Sequence, residues 1–221
     1  MIRRRCAAPA PHLRRTCAAA AANGAAIGAQ VSYRDLVGFG RRFIDVPAEE
    51  LQDEVVYQLG ALAGFARLAG ARLVHVKPHG ALYNAVVQHV HHARAVVRAV
   101  TEFDPDPVVY GLPGSVLLDL AGQAGLAVCR EAFADRAYTP QGTLLPRSEP
   151  GAVLLDSRQI ADRAVAMVLT ESVPAVDGTP VRIACDSLCV HGDTPGAVEI
   201  AREVRAGLEA AGVAVTRLVP G

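Results

Sequence analysis

Short apolar runs alternate with amphipathic patterns about six times along this chain, and no other feature constrains the fold as much. The apolar runs fall at residues 25–31, 73–76, 107–111, 126–130, 181–190 and 213–218. They lack the in–out alternation of a half-exposed strand, so they read as strands covered on both faces. Between them lie helical patterns at residues 48–69, 83–100, 114–124, 156–170 and 195–211, preceded by an alanine-rich helix over 12–22. The 48–69 segment repeats Leu51, Val55, Leu59, Leu62, Phe65 and Ala66 at helical spacing behind Glu49 and Glu50 in its first turn. Ser115 and Asp156 stand at helix entrances, and Thr194-Pro195 predicts an N-cap followed by proline at the first helical position. Asp177-Gly178 marks a tight turn. Strand–helix alternation of this kind specifies an α/β fold on a parallel sheet, open or closed into a barrel.

The side chains available set what the core is made of. The chain is 51% hydrophobic but only 5% aromatic and has no tryptophan, so the core is aliphatic. Mean hydropathy is +0.25, yet no apolar run reaches the length of a membrane span. Lysines plus arginines equal aspartates plus glutamates at 22 each, which argues against nucleic acid or an anionic membrane as partner. The five cysteines do not suggest a disulfide framework. Cys185 and Cys189 are expected on one face of the 181–190 strand as buried thiols. The arginine-rich first residues lack the apolar stretch of a secretory signal, and a cytoplasmic location is expected. His89, His91 and His92 are expected as solvated helix residues, with His89 and His92 on one face.

Polar residues gather where the strands end. Gln30 and Ser32, Lys77 and His79, Glu131 and Asp135, and His191 and Asp193 each follow an apolar run. In a parallel barrel those ends converge on one rim, where catalysis sits. Lys77 is the only lysine, beside twenty-one arginines. A lysine is a compact cation that can stabilise a developing oxyanion, a carboxylate or a phosphate. The histidines and carboxylates suit proton transfer. Arg41, Arg42, Arg136 and Arg147 offer planar forks for a substrate carboxylate. The long segment over 139–151 is expected to be a functional loop. No strand leads into a glycine-rich dinucleotide or ATP cradle, and no serine or cysteine occupies a nucleophile elbow.

Five separated stretches carry a resemblance. They are residues 27–42 (IGAQVSYRDLVGFGRR), 76–84 (VKPHGALYN), 131–138 (EAFADRAY), 144–148 (LLPRS) and 189–197 (CVHGDTPGA). Together they resemble the LamB/YcsF family, the A subunits of prokaryotic ATP-dependent 5-oxoprolinase. The resemblance implies a TIM-like (β/α) barrel related to the seven-stranded glycoside hydrolase/deacetylase fold. It also implies cleavage of 5-oxo-L-proline to L-glutamate with B and C partner subunits. ATP, accompanied by Mg2+, is the implied co-substrate; no tightly bound cofactor and no metal site are assigned. On the matched motifs, Lys77, His79, His191 and Asp193 are expected to be catalytic, with Asp193 orienting His191. Gln30, Ser32, Arg41, Tyr83, Asn84, Glu131, Asp135, Arg136 and Arg147 are expected to bind substrate. Two departures stand out. The family's opening acidic strand and the strand after it are not seen, so residues 1–10 read as non-homologous sequence before a single barrel-like domain over 11–221 that lacks its first strands. Gln30 also stands where the family often has histidine. A stand-alone metal-dependent amidase or deacetylase, and a non-catalytic remnant, are the competing readings.

Overall fold

The computed structural model describes residues 10–216, arranged as two compact units divided between Cys129 and Arg130. The first unit opens with α1 (Ala10–Ala22), followed by β1 (Ile27–Val31), α2 (Ala48–Leu68), β2 (Leu73–Pro78) and α3 (Gly80–Ala85). It continues with α4 (Val90–Phe103), β3 (Val108–Gly111) and α5 (Val116–Gln123). Strand β4 (Val128–Phe133) begins at its end and runs into the second unit, which adds α6 (Ser157–Thr170), β5 (Ser172–Pro174), β6 (Pro180–Arg182), β7 (Ser187–Cys189) and α7 (Ala197–Ala210).

In the first unit β1 pairs parallel with β2, and β2 with β3. Every residue of β1 is buried, as the unbroken apolar run requires. Helix α2 presents Leu51, Val55, Leu59, Leu62 and Ala66 to the core, and α4 presents Ala93, Val96, Val97 and Val100. Burying each large aliphatic side chain contributes roughly 1.5–3 kcal/mol, so these stripes hold the helices on the sheet. In the second unit β4 pairs parallel with β7, while β5 and β6 form an antiparallel pair closed by the Asp177-Gly178 turn. Ile160, Ala161 and Ala164 of α6 pack with Ile200, Val204 and Leu208 of α7. Parallel strands joined through helices are the building plan of a TIM-like α/β fold, as expected. No described helix is long and apolar enough to cross a membrane.

Four local expectations are corrected. The helix expected over 83–100 is two helices, broken at 86–89, where His89 caps α4 by accepting from the His92 N–H (3.2 Å). Val90, expected inward, is 41% exposed at that new helix start. The run over 181–190, expected to be interrupted at Asp186-Ser187, is broken more widely, into two short strands. Asp186 turns aside to bind the backbone N–H (2.9 Å) and guanidinium of Arg130, which separates β6 from β7 and leaves Cys185 outside any strand. Helix α7 starts at Ala197 behind Gly196, whose φ of 74° makes the turn, so Thr194 and Pro195 lie before the helix. Residues 213–216 form no strand, and the rest of that expected run, like residues 1–9, lies outside the described residues. Ser115 and Asp156 do cap their helices, accepting from the N–H groups of Leu118 and Gln159.

Candidate functional site

Strand β2 positions the first group. Along a strand alternate residues share a face, so His75 and Lys77 point the same way. The parallel register sets Gly28 beside His75 and Gln30 beside Lys77. Lys77 is only 5% exposed, and its Nζ lies 5.4 Å from the centre of the Tyr83 ring. A desolvated ammonium over an aromatic face gains on the order of 2 kcal/mol. This holds the single lysine side chain in a defined direction at the strand end. His79 extends the ladder past β2, donating its N–H to Val31 O (2.7 Å), and then occupies the position before the short α3. Gly80 follows with φ +60°, and a side chain there would meet Gly40 O at 2.2 Å. That close approach lets Ala81 N–H donate to Gly40 O (2.8 Å), docking the loop after β1 onto the Lys77-Pro78-His79 corner.

The same loop carries Arg41 and Ser32. Asp35, at its base, accepts from Gly38 N–H (2.9 Å) and from the Arg42 guanidinium. That guanidinium holds the Asp35 carboxyl well below the usual carboxylate range. Arg42 is therefore committed to its own loop. Arg41 is exposed, and its guanidinium lies over the Phe39 ring at 4.9 Å. The Phe39 ring meets the His79 ring edge-on at 5.3 Å. Ser32 is buried, and its hydroxyl donates to Tyr33 O (3.0 Å). Asn84, on α3, is exposed.

The second unit holds another group. Its organising pair is His191 and Asp135. His191 Nδ1 lies 2.7 and 2.9 Å from the Asp135 carboxylate oxygens, and its backbone N–H donates to the same carboxylate (2.9 Å). An ionised carboxylate only accepts, so Nδ1 carries the proton that faces Asp135. Phe133 stacks against the imidazole at 5.7 Å. The carboxylate that orients His191 is thus Asp135, not the expected Asp193, which is exposed. The β4–β7 register pairs Phe133 with Cys189, and two residues on it sets Asp135 opposite His191. Glu131 is buried within β4, at 1% exposure.

Arg136 departs from its expected use. Its Nε donates to Ala152 O (2.9 Å) and its Nη2 to Leu145 O, so two edges of the fork hold the 139–152 segment. Burial and the neighbouring Arg147 draw its pKa down to about 10, which leaves it charged at neutral pH. Arg147, half-buried, lies on the segment that Arg136 secures.

Three positioning residues carry no strand-end signal in the sequence. Gln58 of α2 reads the Ser32 peptide in both directions: its Oε1 accepts from Ser32 N–H and its Nε2 donates to Ser32 O, each at 2.9 Å. Its signal was a polar residue on the apolar stripe of α2. His75 lies against Tyr110, ring centres 4.8 Å apart, and fills the space that Gly28 leaves open. Its signal was its place two residues before Lys77. His92, expected in solvent, is 1% exposed. Its Nε2–H donates to Val46 O (3.1 Å), so Nδ1 accepts from the Tyr33 hydroxyl (2.7 Å). Asp45, His89 and His92 offer atoms close enough to share an ion. With both His92 nitrogens in hydrogen bonds, His92 reads instead as the fastening of the 33–46 loop.

A family model described as the LamB/YcsF family matches residues 7–220. A protein of Streptomyces griseus, named as the A subunit of 5-oxoprolinase, is 59% identical over 203 residues, covering 92% of this chain and 81% of that one. A Mycobacterium avium protein of the same name is 57% identical over the same shares. A crystal structure of a lactam utilization protein from Thermus thermophilus superposes with a TM-score of 0.87 at 44% identity, covering 95% of this chain and 84% of that one. With the motifs at residues 76–84, 131–138 and 189–197 placed at strand ends, these matches show that the chain belongs to the LamB/YcsF family.

Proposed function

We propose that this chain is the A component of an ATP-dependent 5-oxoprolinase, opening 5-oxo-L-proline to L-glutamate together with B and C subunits. The observation that supports this most directly is Lys77, a desolvated cation with a fixed direction in a chain otherwise cationic only through arginine. A lactam amide resists water, so its carbonyl must first be activated. ATP is the co-substrate that supplies a phosphoryl group for this, with Mg2+. Lys77 then holds the carbonyl oxygen or the phosphoryl group bound to it. Phosphoryl transfer leaves ADP; one water adds to the activated carbon, the ring nitrogen leaves with a proton, and a second water cleaves the acyl phosphate to glutamate and inorganic phosphate. His79 and the Asp135-oriented His191 are the proposed proton carriers. Arg41 and Arg147 are the proposed carboxylate clamps. Gln30, Ser32, Tyr83, Asn84 and Glu131 are proposed to shape the substrate site. Arg136 serves by fixing the segment that bears Arg147. Asp193 retains a proposed role in proton transfer near His191.

The test is reconstitution of the chain with B and C subunits and measurement of ATP-dependent glutamate release from 5-oxoproline. Lys77→Ala is expected to lower kcat by about 10²–10³ with folding intact, the scale seen when a charge-stabilising donor is removed. Full activity in Lys77→Ala would overturn the central assignment. Hydrolysis without ATP would point to a stand-alone amidase.

A further inference from the structure

We propose that Phe39 is a positioning residue that sets the Arg41 guanidinium and the His79 imidazole as one pre-formed unit; this rests on the 5-oxoprolinase reading for its activity test. The first observation is the backbone. Phe39 has a φ of 63°, the left-handed region that favours glycine. Among the described residues only Glu171, at the C-terminal cap of α6, shares that property without being glycine. The turn around Phe39 is held on all sides. Gly40 N–H donates to Asp35 O (2.9 Å), Arg41 N–H to Gly38 O (3.1 Å), and Gly38 N–H to the Asp35 carboxylate (2.9 Å). Glycine at position 39 would meet every one of these backbone demands without strain. The presence of phenylalanine therefore has to be explained by its ring.

The ring is not a core group: it is half-buried and lies outside the aliphatic cluster of its unit. Among its contacts are Arg41 on one side and His79 on another. The Arg41 cation gains from the aromatic face, which restrains a long, exposed side chain. The imidazole is held by the ring edge. Strained residues persist where their surroundings over-determine them, and they gather at functional sites. Here the strain aims a ring that orders a cation and an imidazole before substrate arrives, so less freedom is lost on binding.

Phe39→Gly, Phe39→Leu and Phe39→Tyr, each assembled with B and C subunits, separate this from a structural role. Phe39→Gly is expected to unfold at or above the wild-type temperature, because the strain is relieved, yet to lose about tenfold to a hundredfold in kcat/KM. Most of that loss should fall in KM for 5-oxoproline. Phe39→Leu should lose a similar factor, and Phe39→Tyr should rescue. A second readout needs no activity: nitrogen relaxation of the Arg41 side chain in the isolated chain should show it ordered in wild type and Phe39→Tyr, and mobile in Phe39→Leu. Wild-type KM and an ordered Arg41 in Phe39→Leu would overturn the proposal, as would an activity loss in Phe39→Gly matched by a fall in melting temperature. If the wild-type complex does not cleave 5-oxoproline, the functional reading fails, and the relaxation measurement still decides the role of Phe39.

Discussion

At position 28 a single hydrogen in place of a methyl group decides whether β1 and β2 can lie side by side with His75 between them. A Cβ on Gly28 would sit 1.9 Å from His75 Nε2, and the ring cannot tilt freely away because Tyr110 lies 4.8 Å off its centre. Gly28→Ala is therefore expected to destabilise the fold by about 1–3 kcal/mol, the scale of overpacking a closed core. Urea unfolding measures it, and an unchanged midpoint would show that the imidazole has somewhere to go. At this scale part of the site is legible in the sequence. Lys77 stands out because the composition excludes every other lysine, and His79 and His191 because apolar runs stop just before them. Asp193 looks like the partner of His191 because it is close in sequence. Asp135 is the partner because parallel strands bring residues 56 apart into register, a relation that no local pattern encodes. His75 escapes notice because a histidine inside an apolar run resembles a satisfied core residue.

Among the elements, the loop from Ser32 to Pro47 shows how much order a segment without regular structure can hold. Gln58 fixes its first peptide, Asp35 gathers its middle, and the His92 imidazole ties residue 33 to residue 46. A proton on His92 would reverse the Tyr33 bond, since Nδ1 accepts and Nε2 donates. Burial first, then the neighbouring His89, depresses its pKa, against the Val46 carbonyl, which raises it. Removing one end of the Tyr33–His92 bond strands the other as a buried polar group. Tyr33→Phe and His92→Phe should therefore each destabilise by about 1–3 kcal/mol. The double variant should cost less than their sum, with a coupling of at least about 0.5 kcal/mol. Strict additivity in a double-mutant cycle would mean the bond contributes nothing of its own. The helix pattern at α6 is legible because period and cap agree, and that at α2 from its period and acidic first turn alone. The break at residues 86–89 is not, because the valines around it keep helical spacing and only the His89 cap interrupts the ladder.

Taken as a whole, the molecule has no formal net charge at neutral pH, so its stability there is not limited by global repulsion. The alternation that announces a parallel α/β fold also predicts where acid will strike: strands covered on both faces leave a histidine no water in which to ionise. Burial above all lowers the pKa of His75 to about 4, and the charge of Lys77 acts the same way as a lesser cause. In the unfolded chain a histidine takes up its proton near pH 6.5. Above that pH both states hold His75 neutral and the stability is fully present. As the pH falls from about 6.5 toward 4 the unfolded state binds the proton first, so stability is progressively lost, by roughly 3 kcal/mol in total. His92 acts in the same direction. The lowered carboxyls of Asp35, Asp177 and Asp186 begin to act in the same direction only below about pH 5, so the fall between pH 7.5 and 5 is the part read for the histidines. Urea unfolding at about pH 7.5, 6, 5 and 4.5 is expected to show stability falling steadily over that range. His75→Leu is expected to lower stability at every pH but to flatten the fall. Because the comparison is between slopes, the packing cost of the substitution cancels. An identical slope in the two proteins would mean that the folded state admits a proton at His75 as readily as water does.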